Sequence, residues 1–239
     1  MLAAIDPTDP DPTADSLARL ELRGLGVVPA MEAILADALP VGPQPESLAE
    51  GRVDGFLAAG HVATVMGIGE LEELAQRRAL PVVVTGFEPQ ELLRGLVACV
   101  RRLEAGQPGL ENAYGQVVRP QGNPAARALL AEVFTVIDRP WRGLGVIPGG
   151  GLALAPAWAE LDAERRLCLS AAQNPAQEPP NPCIAALVLQ GRARPDQCPA
   201  FGSACTPERP LGAPMVSSEG ACAAWFRYRP AVERFASTP

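Results

Sequence analysis

The residues of this chain best suited to chemistry are four cysteines in its last quarter. Cys183, Cys198, Cys205 and Cys222 are separated by 14, 6 and 16 intervening residues. Thiolates are soft ligands that suit iron–sulfur clusters and zinc. Zinc ribbons use close pairs with two to four residues between the ligands, and no such pair stands here. Iron–sulfur clusters accept ligands from widely spaced loops, and Cys198-Pro199 matches the Cys-Pro step common at such sites. Gly202, Ser203, Ala204, Gly212 and Ala213 are small residues that let backbone amides approach cluster sulfurs. Spacing alone therefore favours an iron–sulfur site and leaves zinc, or unligated or disulfide-linked thiols, open.

The two other cysteines read differently. Cys99 falls on an apolar helical stripe and Cys168 alternates with apolar neighbours, so both are expected as small core residues. His61, the single histidine, is expected between a strand and a helix, at the end of an open α/β sheet where ligands bind. There it could donate a hydrogen bond or shuttle a proton near neutral pH, or simply begin the helix. Glu88 holds the equivalent place after the next strand, as a cleft carboxylate or as a first-turn acid favoured by the helix dipole. Gly149-Gly150-Gly151 is expected to be a flexible joint, because a chain without lysine cannot build a P-loop. Trp225, Phe226 and Tyr228 are expected to pack over the cysteine site and exclude water.

These residues need a scaffold, and composition allows one. Hydrophobic residues at 48% and charged residues at 20% can build a core within 239 residues. The net charge of −7 argues against nucleic acid or an anionic membrane as partner. No apolar run approaches the roughly 20 residues of a spanning helix. The start, Met1-Leu-Ala-Ala-Ile-Asp-Pro7, lacks a basic region and a sustained apolar one, so no signal peptide is expected and the default address is the cytoplasm. Thiols stay reduced there, which favours ligands over disulfides.

Residues 1–16, rich in Asp, Pro and Thr, are expected to be a disordered start. From there to 169 short apolar runs alternate with amphipathic stretches, the rhythm of an α/β domain. Val53–Ala59 and Pro81–Thr85 read as buried strands, joined by a helix over 61–78 with a Glu73–Arg77 pair. A further helix runs from Pro89 to about Glu104, with Leu92, Leu96, Cys99 and Leu103, flanked by Leu93, Val97 and Val100, as one broad buried stripe. Asn123-Pro124 opens a helix to about Phe134, and Trp141–Pro148 reads as a short strand. Two strands joined by a helix predict a right-handed crossover and a parallel sheet. Residues 170–239 read as a loop-rich, irregular cysteine region.

The cysteines lie within a longer phrase, Cys198-Pro-Ala-Phe-Gly-Ser-Ala-Cys205-Thr-Pro followed by Met215-Val-Ser-Ser-Glu-Gly-Ala-Cys222. It resembles the C-terminal signature of the HypD family, which helps build the iron–cyanide–carbonyl centre of nickel–iron hydrogenases. Further matches follow in order: Val53-Asp-Gly-Phe-Leu57 with Gly60-His61-Val62, Gly86-Phe87-Glu88-Pro89, Glu111-Asn112, Val117-Val118-Arg119, Glu132-Val133-Phe134, Trp141–Pro148 and Leu161–Arg166. They span about residues 25–228. The resemblance implies a 4Fe–4S cluster on Cys183, Cys198, Cys205 and Cys222, and partners that include a HypC-like small chaperone and other hydrogenase maturation proteins.

The departures from the family pattern matter equally. HypD proteins carry a further N-terminal domain with Cys-Gly-x-His and Gly-Pro-x-Cys-Pro-x-Cys motifs, and neither motif stands in this sequence. The chain begins near where the second domain of the pattern would start, and the approach to Val28-Pro29-Ala30-Met31 looks one strand short after Leu25. Many members also have two cysteines beside the cluster, proposed as a redox pair, where this chain has Ala185 and Pro214. The expectation is a metallocentre-assembly factor, partial in function, rather than a turnover enzyme. A structural or interaction protein with a stabilising iron–sulfur or zinc site, and an inactive fragment, are the alternatives.

Overall fold

Pro81–Thr85 is apolar or β-branched at every position, and the computed structural model makes it the buried central strand of a parallel sheet. The structure describes residues 27–35, 53–141, 145–167 and 182–236. The expected disordered start, the short approach near Leu25 and Cys168 lie outside them. By its contacts the chain divides into two compact units. One comprises Met1–Glu32, Asp54–Arg139 and Pro148–Leu169, the other Ala33–Val53, Pro140–Ile147 and Ser170–Pro239.

Helix α1 (Val27–Leu35), whose residues up to Glu32 fall in the first unit, buries Val28, Ala30 and Met31. Strands β1 (Phe56–Ala59), β2 (Pro81–Thr85) and β3 (Gly109–Asn112) lie in that order, all parallel, with Phe56 opposite Val82 and Val82 opposite Leu110. Val82, Val83 and Val84 are completely buried, as a strand covered on both faces requires. The expected α/β class, with a parallel sheet and flanking helices, is what the chain adopts. β1 is shorter than expected and, as an edge strand, leaves Leu57 exposed.

The helix expected over 61–78 is two helices, α2 (Gly60–Met66) and α3 (Gly69–Arg78). Gly67 breaks it at φ +81, a left-handed conformation that glycine adopts without steric cost. The break is clamped by a neighbouring loop: Ile68 N–H donates to Pro120 O (3.0 Å) and Asn123 N–H to Val65 O (2.9 Å). A Cβ on Gly67 would stand 2.4 Å from Pro120 O, so two backbones meet where only glycine fits. The Glu73–Arg77 pair forms at 3.9 Å between exposed side chains and contributes little.

Helix α4 (Pro89–Glu104) has the expected bounds, but only part of its stripe is buried. Gly95 and Cys99 face the sheet, and a Cβ on Gly95 would lie 2.8 Å from Thr85 Oγ1. Leu92, Leu93, Leu96, Val97, Val100 and Leu103 are each at least 40% exposed. A glycine at the contact draws helix and strand together, and the leucines beside it are left on the rim rather than underneath. Cys99 is the core thiol expected, with burial pushing its pKa up against the opposing pull of Arg102.

Asn123 caps α5 (Pro124–Val133) by accepting from Ala126 N–H at 3.1 Å. The chain then forms paired strands β4 (Phe134–Trp141) and β5 (Gly145–Leu154). Gly149-Gly150-Gly151 is therefore part of a strand, not a joint. Gly149 sits at φ +62 and donates its N–H to Asp138 Oδ1 (2.8 Å), and a Cβ on Gly151 would fall 2.6 Å from that of Arg139. A short helix, α6 (Ala163–Arg166), follows.

The second unit carries α7 (Ala185–Leu189), a 3₁₀ turn at Pro195–Gln197, α8 (Ala213–Val216) and α9 (Ala221–Ala236). Among the described residues 182–220, only these short helical pieces interrupt the loops, as expected. Beyond residue 220, the helix-favouring Ala221-Cys222-Ala223-Ala224 starts a 16-residue helix that a loop-rich reading misses.

Candidate metal centre

Each of the four cysteines reaches the site from a different local device. Cys183 precedes α7, Cys198 ends the Pro195–Gln197 turn, Cys205 closes a tight loop, and Cys222 stands in the first turn of α9. The loop that carries Cys205 closes on itself. Cys205 N–H donates to Ala200 O (2.8 Å), Gly202 N–H donates back to Cys205 O (3.0 Å), and Gly202 takes the turn at φ +70.

All four thiols line one cavity, with Ile184, Val188, Phe201, Gly212 and Met215 among its apolar walls. Cys205 and Cys222 are buried, Cys183 and Cys198 half-buried, and none of the described cysteines is in a disulfide. Cys205, Cys222, Ala200, Met215 and Ala223 form one buried cluster, against which Cys198, Phe201 and Leu211 pack. Gly212 touches the site most closely: a Cβ there would stand 2.4 Å from Cys183 Sγ. Leu211 N–H donates to Cys205 Sγ at 3.4 Å, and the Cys198 thiol points at Pro182 O at 3.7 Å.

Electrostatics ties the four together. The Cys222 thiol is pushed up to about 12, first by burial and then by Cys183, Cys198 and Cys205, each of which would repel a second thiolate. Four clustered thiolates without a cation are therefore disfavoured; with a bound metal ion or cluster they are neutralised. The donor set is all sulfur, with apolar walls and one backbone amide aimed at a sulfur, and it fits an iron–sulfur cluster. Among the described residues no three His, Cys, Asp or Glu side chains stand close enough to hold one ion.

The surroundings include residues that spacing did not single out. Asp196 Oδ2 lies 2.9 Å from Arg229 Nη1 on α9, while Arg194 Nε is 3.3 Å from Asp196 Oδ1, an electrostatic contact rather than a hydrogen bond. Phe226 meets Phe201 edge-on with ring centroids 5.9 Å apart. Trp225 is half-buried, but Tyr228 is exposed beside Arg227 and does not cover the thiols as expected. Ala185 and Pro214 are both buried next to Gly212.

His61 and Glu88 belong to the first unit. Both stand just past the C-terminal ends of adjacent parallel strands, where the sequence put them. His61 is exposed and its ring lies 4.8 Å from that of Phe87. Glu88 is exposed at the start of α4, where its N–H donates to Glu91 Oε2 (3.3 Å), half of a capping box. Tyr114 carries no motif in the sequence, yet its ring packs on Gly60 and Gly86 so closely that a Cβ on either would collide with it. Glycines at the ends of both strands were the signal available.

The HypD family model, described as the hydrogenase formation hypA family, matches residues 20–229. The chain is 44% identical over 178 residues to the hydrogenase maturation factor HypD of Escherichia coli K12, covering 74% of this chain and 47% of the relative. It is 42% identical over 181 residues to HypD of Rhodobacter capsulatus (74% and 48%). It is also 42% identical over 204 residues to the hydrogenase expression/formation protein HupD of Azotobacter chroococcum (83% and 50%). The chain thus spans about half the length of the curated relatives it matches. With most of its length matched from Leu20 to Arg229, the chain belongs to the HypD family.

Proposed function

We propose that the chain works in hydrogenase maturation as the cluster-bearing portion of a HypD-type factor, assisting assembly of the Fe(CN)2CO centre of nickel–iron hydrogenase. Cys183, Cys198, Cys205 and Cys222 would hold a 4Fe–4S cluster. The observation that carries this reading is the convergence of four thiols from four separate segments on one apolar-walled cavity. When bound, the cluster supplies one-electron chemistry. The chain's own residues exclude water through Ile184, Val188, Phe201 and Met215, and Leu211 N–H is directed at the Cys205 sulfur.

The reading extends to a cytoplasmic setting, where thiols stay reduced, with a HypC-like chaperone and other maturation proteins as partners. No described helix is long and apolar enough to cross a membrane. Binding of the iron–cyanide fragment is not assigned to this chain alone, because the family's Cys-Gly-x-His and Gly-Pro-x-Cys-Pro-x-Cys motifs stand nowhere in it. Its part is that of a scaffold or electron carrier.

Anaerobic loading with iron and sulfide tests the centre. The expected product holds about four irons and four acid-labile sulfides per chain, and Cys198→Ser lowers both. One equivalent of zinc with no labile sulfide would replace the cluster reading with that of a structural zinc site.

A further inference from the structure

Cys198 and Cys222 come from segments 24 positions apart, and one ion pair joins those segments beside the thiols. On α9, Cys222, Phe226 and Arg229 are spaced i, i+4, i+7, so they share one face within an arc of about 60°. That face meets the segment 196–205 in order. Arg229 pairs with Asp196, Phe226 with Phe201, and Cys222 shares a buried cluster with Cys205. The segment therefore runs antiparallel along the helix, tied by charge at one end and by thiols at the other.

The tie is built rather than incidental. The Asp196 side chain is only 12% exposed, and its carboxylate meets Arg229 at 2.9 Å. Arg194, the other partner, is 68% exposed and lies two residues away on the same turn, so it cannot fix the turn against α9. Asp196 in turn stands two residues before Cys198, whose N–H is already bonded to Pro195 O at 3.1 Å. Carboxylate and thiol thus sit on one rigid turn, and guanidinium and thiol on one rigid helix face.

We infer that Asp196 is a positioning residue that, through Arg229, holds the Cys198 thiol in register with Cys222. This rests on the cluster reading for its physiological meaning, but the register itself is a property of the metal-free chain. Without the pair, the Cys198 turn loses its charged anchor on α9, and only apolar packing, the Phe201–Phe226 contact and the buried cluster around Cys205 and Cys222, holds the two segments together.

Two measurements on the whole chain separate the possibilities. In the reduced, metal-free protein, dibromobimane fluoresces when it bridges two nearby thiols, and peptide mapping identifies the pair. Bridging of Cys198 to Cys222 should fall severalfold in Asp196→Asn and equally in Arg229→Met, with no further loss in the double variant. Arg194→Met should bridge like the unaltered chain, and Asp196→Glu should retain part of the signal. In the loaded protein, chelator should strip iron severalfold faster from Asp196→Asn and Arg229→Met, with Arg194→Met unchanged. Additive losses, or an Arg194→Met as impaired as Arg229→Met, would overturn the register. An unaltered chain that takes up no sulfide defeats the cluster reading, while the bimane result still decides the register.

Discussion

Gly212 and Cys183 approach so closely that no side chain fits between them: a Cβ on Gly212 would stand 2.4 Å from the Cys183 sulfur and 3.2 Å from the Ala185 Cβ. The glycine is at ordinary extended backbone angles, φ −114 and ψ 152, so its requirement is for space and not for an unusual conformation. Gly212→Ala should therefore push the Cys183 thiol out of the cavity rather than distort the loop. Overpacking of this kind costs about 1–3 kcal/mol. Iron and labile sulfide per chain, measured after anaerobic loading, should fall well below the unaltered level while the helical circular dichroism is kept. Full loading would show that the Cys183 thiol can shift and that the close approach of Gly212 is not what holds it in the cavity.

Cys222 sets a pH dependence for the metal-free chain. Its thiol is raised from an ordinary value of 9.0 to about 12. Below pH 9 it is protonated both folded and unfolded, and its burial carries no ionisation cost. Above pH 9 the unfolded chain ionises and the folded one does not, so the fold loses about 1.4 kcal/mol per pH unit until the folded thiol titrates. Cys222→Ala lacks this term. The stability gap between the unaltered chain and Cys222→Ala, measured by urea unfolding under reducing conditions, should shift in favour of the variant by that slope between pH 9 and 11. A gap independent of pH would mean that Cys222 is solvated. Metal loading requires the thiolate, so it should also release this proton.

The same contrast between local pattern and tertiary context explains what the sequence makes legible. Pro81–Thr85 is readable as a strand because an unbroken Val-Val-Val run has one stable place, the middle of a covered sheet. Helix α4 is readable from its Pro89 start and its periodicity. The split at Gly67 is not, because it depends on a loop more than fifty residues later whose carbonyl of Pro120 meets it. The thiols are legible as a set from their chemistry, but Asp196 and Arg229 carry no motif; only the fold of α9 back along 196–205 joins them. β3 and β4 are short or mixed in polarity, and neither shows a period clear enough to count.

Helix α4 offers the sharpest test of where pattern and burial part. Its periodicity makes Leu92, Leu96 and Leu103 equivalent to Cys99, yet Leu96 is 50% exposed and Cys99 only 8%. The difference lies in Gly95, which brings the helix against Thr85 and tilts the contact towards the Gly95–Cys99 line. Leu96→Gln should then change unfolding free energy by only about 0.5 kcal/mol, the range of surface substitutions. Gly95→Ala is a better helix former by about 1 kcal/mol, but its Cβ would strike Thr85 Oγ1, the hydroxyl that donates to Glu91 O at 2.7 Å. Loss of that packing and hydrogen bond should exceed the propensity gain, for a net destabilisation of about 1–2 kcal/mol. The order of the two effects in urea unfolding is the decisive reading. If Leu96→Gln costs more than Gly95→Ala, the leucine stripe is the buried face and the glycine contact is not what seats the helix.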